Sequence, residues 1–293
     1  MITAKTRLLA IIGDPVSHSL SPLMQNAALE QCGVDARYLA FHVAPDDLDR
    51  AIAGLRSLNL WGCNVTVPHK EKIIPFLDEL DIAAKRIGAV NTVVNDGGRL
   101  VGYNTDGGGL LTSLRDDLGF NPSAKKVVLL GAGGASRAAL VALAGAKVAW
   151  LGVANRNEKR GRGLVDHFRE EFLGTTFAAF AMWSQTLDAA LQDVDLVVNT
   201  TSVGLNGTSF PDFPWESLPK TALIYDMVYT KNGTPLVKTA LTKGFAATDG
   251  VGMLAGQGEL AFRLWTGLVP KPGLMKQVLC QHLGRPDGLL DST

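Results

Sequence analysis

The chain has 293 residues, 28 Lys+Arg against 28 Asp+Glu and a formal net charge of zero, which excludes a protein built on non-specific nucleic-acid or anionic-membrane binding, since such proteins show a basic surplus. Hydrophobic residues make up 46% and charged residues 19%, ample for a core, and the length fits two domains of roughly 150 residues each. Cys32, Cys63 and Cys280 match neither a disulfide framework nor zinc-ligand spacing, so reduced thiols in the cytoplasm and no metal are expected.

The opening Met1-Ile2-Thr3-Ala4-Lys5-Thr6-Arg7 lacks the apolar core and cleavage signal of a secretory leader. The pattern then predicts a strand over 8–12, a helix from Pro22 to about Cys32 stopped by Gly33, a strand over 37–43 and a helix over 46–58. A strand over 62–67 follows, and Pro68 opens a short helix. Strands over 89–95 and 100–104 flank Asp96-Gly97-Gly98, a hairpin signal. A helix over 107–118 ends in Gly119-Phe120-Asn121-Pro122-Ser123, the clearest linker. The pattern restarts with a strand over 127–130, a glycine turn and a helix over 136–144. A strand over 148–154 and a helix over 159–172 come next. Further strands are predicted over 176–181, 196–199, 223–226 and 245–247, and closing helices over 253–265 and 274–282. The apolar stretch 127–154 is interrupted by Arg137 and Lys147 and is too broken to span a bilayer. Alternating strands and helices predict an α/β protein of two βαβ domains, each with a mostly parallel sheet covered by helices.

Glycine is the compositional outlier, 32 of 293 residues against an average near 7%. Val127-Val128-Leu129-Leu130 runs into Gly131-Ala132-Gly133-Gly134-Ala135-Ser136, and Arg137-Ala138-Ala139-Leu140 continues as a helix. Gly131 permits the tight turn, Gly133 lets the backbone approach a pyrophosphate, and the small Ser136 allows close helix–strand packing. Free N–H groups at the helix start favour phosphate. A plain βα turn is the bland alternative, but a strand before, a helix after and a second strand next favour a Rossmann dinucleotide site. An NAD site carries Asp or Glu near the end of that second strand. Here Val153-Ala154-Asn155-Arg156-Asn157-Glu158-Lys159-Arg160 stands instead. Arg156 and Arg160 would straddle a 2′-phosphate with charge-assisted bonds; a solvated basic helix start is the other reading. Cations are unfavourable at a helix N-terminus without a bound anion, so NADP is the expected cofactor.

The first half supplies polar candidates. In Ser17-His18-Ser19-Leu20-Ser21-Pro22, Ser21 reads as an N-cap before Pro22 at the first helical position. Ser17 and Ser19 beside that helix end read as a carboxylate cradle, with a purely structural role as the alternative. Asn64-Val65-Thr66-Val67-Pro68-His69-Lys70 puts Thr66 at a strand end and Lys70 in the first turn of a helix. The dipole disfavours an ammonium there, and burial or cofactor charge would lower its pKa for proton transfer; a surface lysine is the ordinary alternative. In Gly102-Tyr103-Asn104-Thr105-Asp106-Gly107-Gly108-Gly109, Thr105 or Asp106 is a candidate N-cap. The three glycines cost up to about 1 kcal/mol each relative to Ala unless a ligand or backbone comes close. An Asp near Lys70 would hold its proton and bond a substrate hydroxyl. Met253, Leu254, Gln257, Ala261 and Leu264 share one helical face, with Gln257 polar on an apolar stripe. Gln257 is either bonded to backbone or a substrate contact, and spacing does not choose.

These motifs, with Gly88-Ala89-Val90-Asn91-Thr92, Asn199-Thr200-Thr201-Ser202-Val203-Gly204, Tyr225-Asp226-Met227-Val228-Tyr229 and Asp249-Gly250-Val251-Gly252-Met253-Leu254, resemble the shikimate dehydrogenase family, in order, from residue 13 to about 265. The resemblance implies an enzyme reducing 3-dehydroshikimate to shikimate with NADPH in aromatic amino acid (chorismate) biosynthesis. Its partners would be small molecules, with no nucleic acid or membrane and with a homodimer as one assembly. By motif position, Lys70 and Asp106 would be the catalytic pair. Ser19, Ser21, Thr66, Asn91, Tyr229 and Gln257 would hold substrate, the serines and Tyr229 nearest its carboxylate. Gly131, Ala132, Gly133, Gly134 and Ala135 would carry the pyrophosphate, Asn155, Arg156 and Arg160 the adenosine phosphate, and Met227 and Gly250 would sit by the nicotinamide. The implied domains are 1–105 plus about 250–293 for substrate and catalysis, and about 106–249 as the Rossmann NADP-binding domain. A cleft between them that opens and closes is expected from the two-domain architecture. Gln25 stands where many members carry His, Asp14 replaces the common Asn, and Asn157 replaces Thr; the first two flank the substrate loop. A quinate/shikimate dehydrogenase, or a non-catalytic NADPH or shikimate sensor on the same scaffold, shares most of these motifs. Retention of Lys70, Asp106 and both arginines speaks against the sensor. His69 and His18 are rival proton carriers by type, ranked lower because a neighbour explains each motif.

Overall fold

The computed structural model describes residues 2–210 and 212–285; residues 286–293, the end of the expected first domain, lie outside the described residues, as does Met1. The described residues divide into two compact units, one running up to Gly109 together with Leu254–His282, the other Leu110–Met253 together with residues 283–285.

The first unit contains β1 (Arg7–Gly13), α1 (Ser21–Gln31), β2 (Ala36–His42), α2 (Leu48–Ser57), β3 (Gly62–Val65), β4 (Glu79–Leu80), α3 (Ile82–Ile87), β5 (Thr92–Asp96) and β6 (Arg99–Tyr103). Its sheet runs β2-β1-β3-β5-β6-β4. β1 is parallel to β2 and β3, whereas β5 is antiparallel to β3 and β6. Buried from Leu9 through Gly13, β1 is the continuous apolar strand that a sheet covered on both faces requires. α2 buries Leu48, Ile52 and Leu55, a helical stripe that packs on Ala10, Ile12, Cys63 and Val65. Gly97 and Gly98 both have positive φ, 60° and 99°, the two-residue turn whose twist suits the β5–β6 hairpin.

α4 (Asp106–Leu118) leads out of this unit and α9 (Val251–Thr266) leads back in, followed by α10 (Leu274–His282). Trp265 of α9 donates its indole N–H to the Val93 carbonyl at 2.9 Å and tilts against Tyr38 with ring centroids 6.0 Å apart. Truncating such a ring to Ala costs about 3–5 kcal/mol.

The second unit contains β7 (Lys126–Leu130), α5 (Gly134–Gly145), β8 (Trp150–Asn155), α6 (Glu158–Arg169), β9 (Thr176–Ala181), α7 (Gln185–Leu191), β10 (Leu196–Asn199), β11 (Leu223–Asp226), α8 (Pro235–Thr242) and β12 (Ala247–Thr248). All six strands are parallel, in the order β12-β11-β10-β7-β8-β9. This is the doubly wound order, whose ligands sit at the C-terminal strand ends where the order reverses, here between β7 and β10.

Several local expectations change. Pro68 opens turns and a short 3₁₀ segment, Ile74–Phe76, instead of an α-helix. The reason is that the Lys70 carbonyl accepts the Val90 N–H at 2.8 Å, so it does not serve a helical turn. The dipole argument for Lys70 therefore has no helix behind it. Ser21 is the first residue of α1 and makes no side-chain cap; instead the Ser19 hydroxyl accepts the Ser21 N–H at 3.2 Å. Helices α3, α7 and α8 lie where none is expected, each started by a side-chain cap from Asp81, Ser184 or Thr234. The 119–123 linker is a loop inside the second unit. Among the described residues no helix is long and apolar enough to cross a membrane, and no acidic, His or Cys cluster could hold a metal.

Candidate active site

Sheet register collects the polar residues of the first unit at one end. Because β1 and β3 are parallel, the segments following Gly13 and Val65 leave the same edge. There the Asp14 N–H donates to the Val67 carbonyl at 3.0 Å, joining the loop of Ser19 and Ser21 to the segment of Thr66. Because β5 is antiparallel to β3 and pairs Thr92 with Tyr103 of β6, Asn91 before β5 and Asp106 after β6 reach this end too.

Lys70 Nζ lies 2.6 Å from Asp106 Oδ2, with the two side chains 31% and 16% exposed. The other carboxylate oxygen accepts Asn91 Nδ2 at 2.8 Å. Asn91 also donates to Thr105 Oγ1 at 2.9 Å and lies 3.5 Å from Gln257 Oε1. Asn91 Oδ1 accepts the Thr105 N–H at 2.8 Å and the Thr92 hydroxyl at 3.0 Å, which fixes its side-chain amide orientation. Gln257 is buried and donates to the Leu254 carbonyl at 2.8 Å. Its face is not the expected stripe, since Leu264 is exposed. Lys70, Asp106, Asn91 and Gln257 thus form one connected group. Ser21 is buried, Ser19 and Thr66 half-buried, at the same end of the sheet.

His69 is fully buried, and its Nε2 donates to the Val43 carbonyl at 2.7 Å. That bond holds the segment before Lys70 and removes His69 as an exposed proton carrier. Gln25, also fully buried, donates to the Gly258 carbonyl at 2.9 Å. Asp14 pairs with His42 at 2.8 Å. Gly108 is explained by packing, since a Cβ there would run into Leu260.

In the second unit, Gly131 has φ +112°, and a side chain would run into Thr200 and Thr201. Its N–H donates to the Ala154 carbonyl at 2.7 Å. Ser136 is buried and bonds the Thr200 hydroxyl, which donates to the Leu130 carbonyl at 2.7 Å. The turn is thereby closed onto β10. Gly133 is the N-cap of α5 and contributes no side-chain cap, and a Cβ built on it meets nothing within 4 Å. The α5 N–H groups are therefore open to an anion. Asn157 caps α6, Asn155 Nδ2 donates to the Asn157 carbonyl at 2.8 Å, and Arg160 Nε reaches the Ala132 carbonyl at 3.1 Å. Arg160 and Arg156 are both exposed, Arg156 directly after the end of β8, the strand that pairs with β7. A helix start without a side-chain cap, with one guanidinium on the turn and a second arginine four residues before it, fits a dinucleotide carrying a 2′-phosphate.

Met227 and Gly250 meet directly, because a Cβ on Gly250 would overlap the Met227 carbonyl. Tyr229 lies on the same loop, half-buried; burial, then the nearby Asp249, raises its phenol above the usual value. Asp226 is fully buried and accepts the Thr234 hydroxyl at 2.6 Å, Asn199 Nδ2 at 2.8 Å and the Val228 N–H at 3.0 Å. Burial pushes its carboxyl up to about 6 against these bonds.

Several supporting residues carry no role in the sequence reading. The Tyr38 hydroxyl donates to Asn64 Oδ1 at 2.6 Å, and Asn64 Nδ2 donates to the Asn91 carbonyl and the Thr92 hydroxyl, both at 3.0 Å. Asn64, a polar residue inside an apolar strand, was the available signal. Arg285 pairs with the buried Asp249 at 2.8 Å and lies beyond every motif. Cys32, Cys63 and Cys280 form no disulfide, and burial raises the Cys63 thiol to about 12.

Comparison with known proteins gives three family matches along the chain. Residues 11–93 match the shikimate dehydrogenase substrate binding domain, 115–205 shikimate / quinate 5-dehydrogenase, and 250–280 the shikimate 5′-dehydrogenase C-terminal domain. A shikimate dehydrogenase (NADP(+)) of Geobacter metallireducens is 50% identical, covering 97% of this chain and 99% of the relative. A crystal structure of shikimate dehydrogenase in complex with NADP+ superposes with TM-score 0.88 at 36% identity, over 97% of this chain and 98% of that one. The Thermus thermophilus shikimate 5-dehydrogenase in complex with NADP(H) and shikimate gives TM-score 0.83 at 36% identity, over 94% and 99%.

Proposed function

This chain belongs to the shikimate dehydrogenase family, and from that premise we propose the reaction and the residues that carry it. It is an NADP-dependent oxidoreductase that reduces 3-dehydroshikimate reversibly to shikimate, in the pathway to aromatic amino acids. Lys70 and Asp106 are the catalytic pair, and the observation that carries this is their 2.6 Å contact with Asn91 on the second carboxylate oxygen.

NADPH supplies a hydride to the ring carbonyl carbon. As the carbonyl electron pair moves onto oxygen, the Lys70 ammonium stabilises the growing negative charge and gives the oxygen its proton. A charge that develops only in the transition state is where a fixed cation lowers the barrier. Asp106 aims Lys70 and accepts a hydrogen bond from the hydroxyl next to the reacting carbon. Ser19, Ser21, Thr66, Asn91 and Gln257 of the first unit bind the substrate ring and its carboxylate, with Tyr229 of the second. Gly131, Ala132, Gly133, Gly134 and Ala135 hold the pyrophosphate, Asn155, Arg156 and Arg160 the 2′-phosphate, and Met227 and Gly250 the nicotinamide. The first unit, up to Gly109 with Leu254–His282, makes the substrate-binding domain, and the second the NADP-binding domain; the expected return of the chain end to the first domain stops at His282, because Arg285 bonds Asp249, Thr230 and Lys231 of the second unit.

The test is the absorbance of NADPH during turnover. Lys70→Ala should lower kcat by about 100-fold or more, the range of general acid catalysis, with shikimate affinity little changed. Near-normal turnover would sink the assignment. A second reading, quinate/shikimate dehydrogenase, is supported by the match of residues 115–205 to shikimate / quinate 5-dehydrogenase; rates with quinate against shikimate, and with NADP against NAD, separate the two. The proposal extends to a cytoplasmic enzyme, supported by three cysteines that form no disulfide, and to a homodimer. The edge strand β2, with Leu39 and Phe41 exposed, supports the dimer, and sedimentation equilibrium tests it.

A further inference from the structure

We propose that Arg285 is a positioning residue: its guanidinium locks the loop after β11, which carries Met227 and Tyr229, to the turn after β12, which carries Gly250. The proposal rests on the roles assigned above to those three residues. The geometry is a three-way clamp. Arg285 Nη1 donates to Asp249 Oδ2 at 2.8 Å, Nε to the Lys231 carbonyl at 2.9 Å, and Nη2 to the Thr230 carbonyl. Both members of the ion pair are buried. Asp249 turns its other oxygen to the Val251 N–H at 3.3 Å, at the start of α9.

The loop 227–233 contains no strand or helix, so its shape comes from its two ends. At the near end, Asp226 holds Asn199, Thr234 and the Val228 N–H. At the far end, Thr230 closes on the Gly233 carbonyl at 2.8 Å, and Arg285 pins two consecutive carbonyls. Met227, Val228 and Tyr229 span the interval, and the Gly250 N–H meets the Val228 carbonyl at 3.3 Å. Only a planar fork of fixed donors serves two carbonyls and a carboxylate at once. A lysine at this position would keep the charge opposite Asp249 and lose the fork. That substitution therefore separates holding the loop from neutralising a buried charge.

The experiment compares the full-length parent with Arg285→Lys, Arg285→Ala, Tyr229→Phe and the Arg285→Lys/Tyr229→Phe double variant. Hydrogen exchange reads the clamp itself. Arg285→Lys should raise exchange at the Val228 and Gly250 amides while the melting temperature stays close to the parent's. Exchange equal to the parent's at both amides overturns the proposal. Arg285→Ala, which also strands the Asp249 charge, should lower the melting temperature; if it does not fold, the Lys variant still decides. Kinetics read the consequence. Arg285→Lys should raise shikimate KM about tenfold, the loss of one or two hydrogen bonds, with kcat changed much less. The double variant should be no worse than the poorer single, because both disturb one contact. Independent, multiplicative effects overturn the positioning role. If Tyr229→Phe leaves KM unchanged, the Tyr229 reading fails, and the exchange result alone then accepts or rejects the clamp.

Discussion

Asp106→Asn is the most informative single change, because the amide has the shape of the carboxylate and half its accepting capacity. Lys70 approaches one oxygen at 2.6 Å and Asn91 Nδ2 approaches the other at 2.8 Å. If the new amide oxygen faces Lys70, its NH2 faces the Asn91 NH2, and if it turns over, the ammonium meets a donor. Asn91 cannot relieve the conflict by flipping, since its own Oδ1 is committed to the buried Thr105 N–H at 2.8 Å. Either way one hydrogen bond to a charged group is lost, about 1.5–3 kcal/mol. The unpaired Lys70 charge adds little, because its side chain is 31% exposed and water screens it. If that loss falls on the transition state, kcat/KM for 3-dehydroshikimate drops about 10- to 150-fold, at about 1.4 kcal/mol per factor of ten. Initial rates of NADPH oxidation, with kcat and KM resolved, measure it, and a thermal melt checks the fold. A folded Asp106→Asn enzyme within about threefold of the parent would refute the idea that this carboxylate works by holding both partners.

The cofactor and the buried acids give further tests. Arg156→Ala should raise the KM for NADP about tenfold or more, as loss of a charge-assisted bond to the 2′-phosphate does, and leave that for NAD unchanged; equal effects on both would remove the phosphate role. For Asp226, the folded carboxyl sits at about 6, above its ordinary 3.8. The folded state therefore holds a proton between those values that the unfolded chain has released, and this group's contribution to stability falls as pH rises from about 4 to 6. The penalty at neutral pH is on the order of 3 kcal/mol, at about 1.4 kcal/mol per pKa unit. Asp226→Asn, whose amide can donate to the Thr234 hydroxyl, should be stabilised relative to the parent at pH 8 and lose that advantage at pH 4. Urea unfolding at both values checks this, and a difference independent of pH would contradict it.

Much of the site was legible before any fold was known, because its parts are local. The glycine turn after β7 reads from the strand before it and the helix after it, and the positive φ of Gly131 is what a tight βα turn demands. Residue type offered Lys70 and an Asp as partners and the resemblance named them as a pair, but no local pattern shows that they meet. They are 36 residues apart, and the register of β3, β5 and β6 brings them together. The expected helix at Pro68 failed for the same reason, since a long-range bond from Val90 claims the carbonyl that a helix would need. Helix α8 was readable from Thr234-Pro235, whereas Arg285 was not. It belongs to no motif, and its meaning lies in three acceptors brought to it from Asp249, Thr230 and Lys231.

By itself, then, the sequence determined what depends on neighbours in the chain: the alternation of strands and helices, the dinucleotide turn, the absent acidic residue after β8 and the arginines in its place. Tertiary structure alone decided which buried polar groups satisfy one another. A buried donor or acceptor must find a partner or cost about 1–3 kcal/mol, and that partner is chosen by sheet register and helix docking. Asn91 became the hub of the first unit, and the Asp226 and Asp249 loops the anchored edge of the second, on those terms.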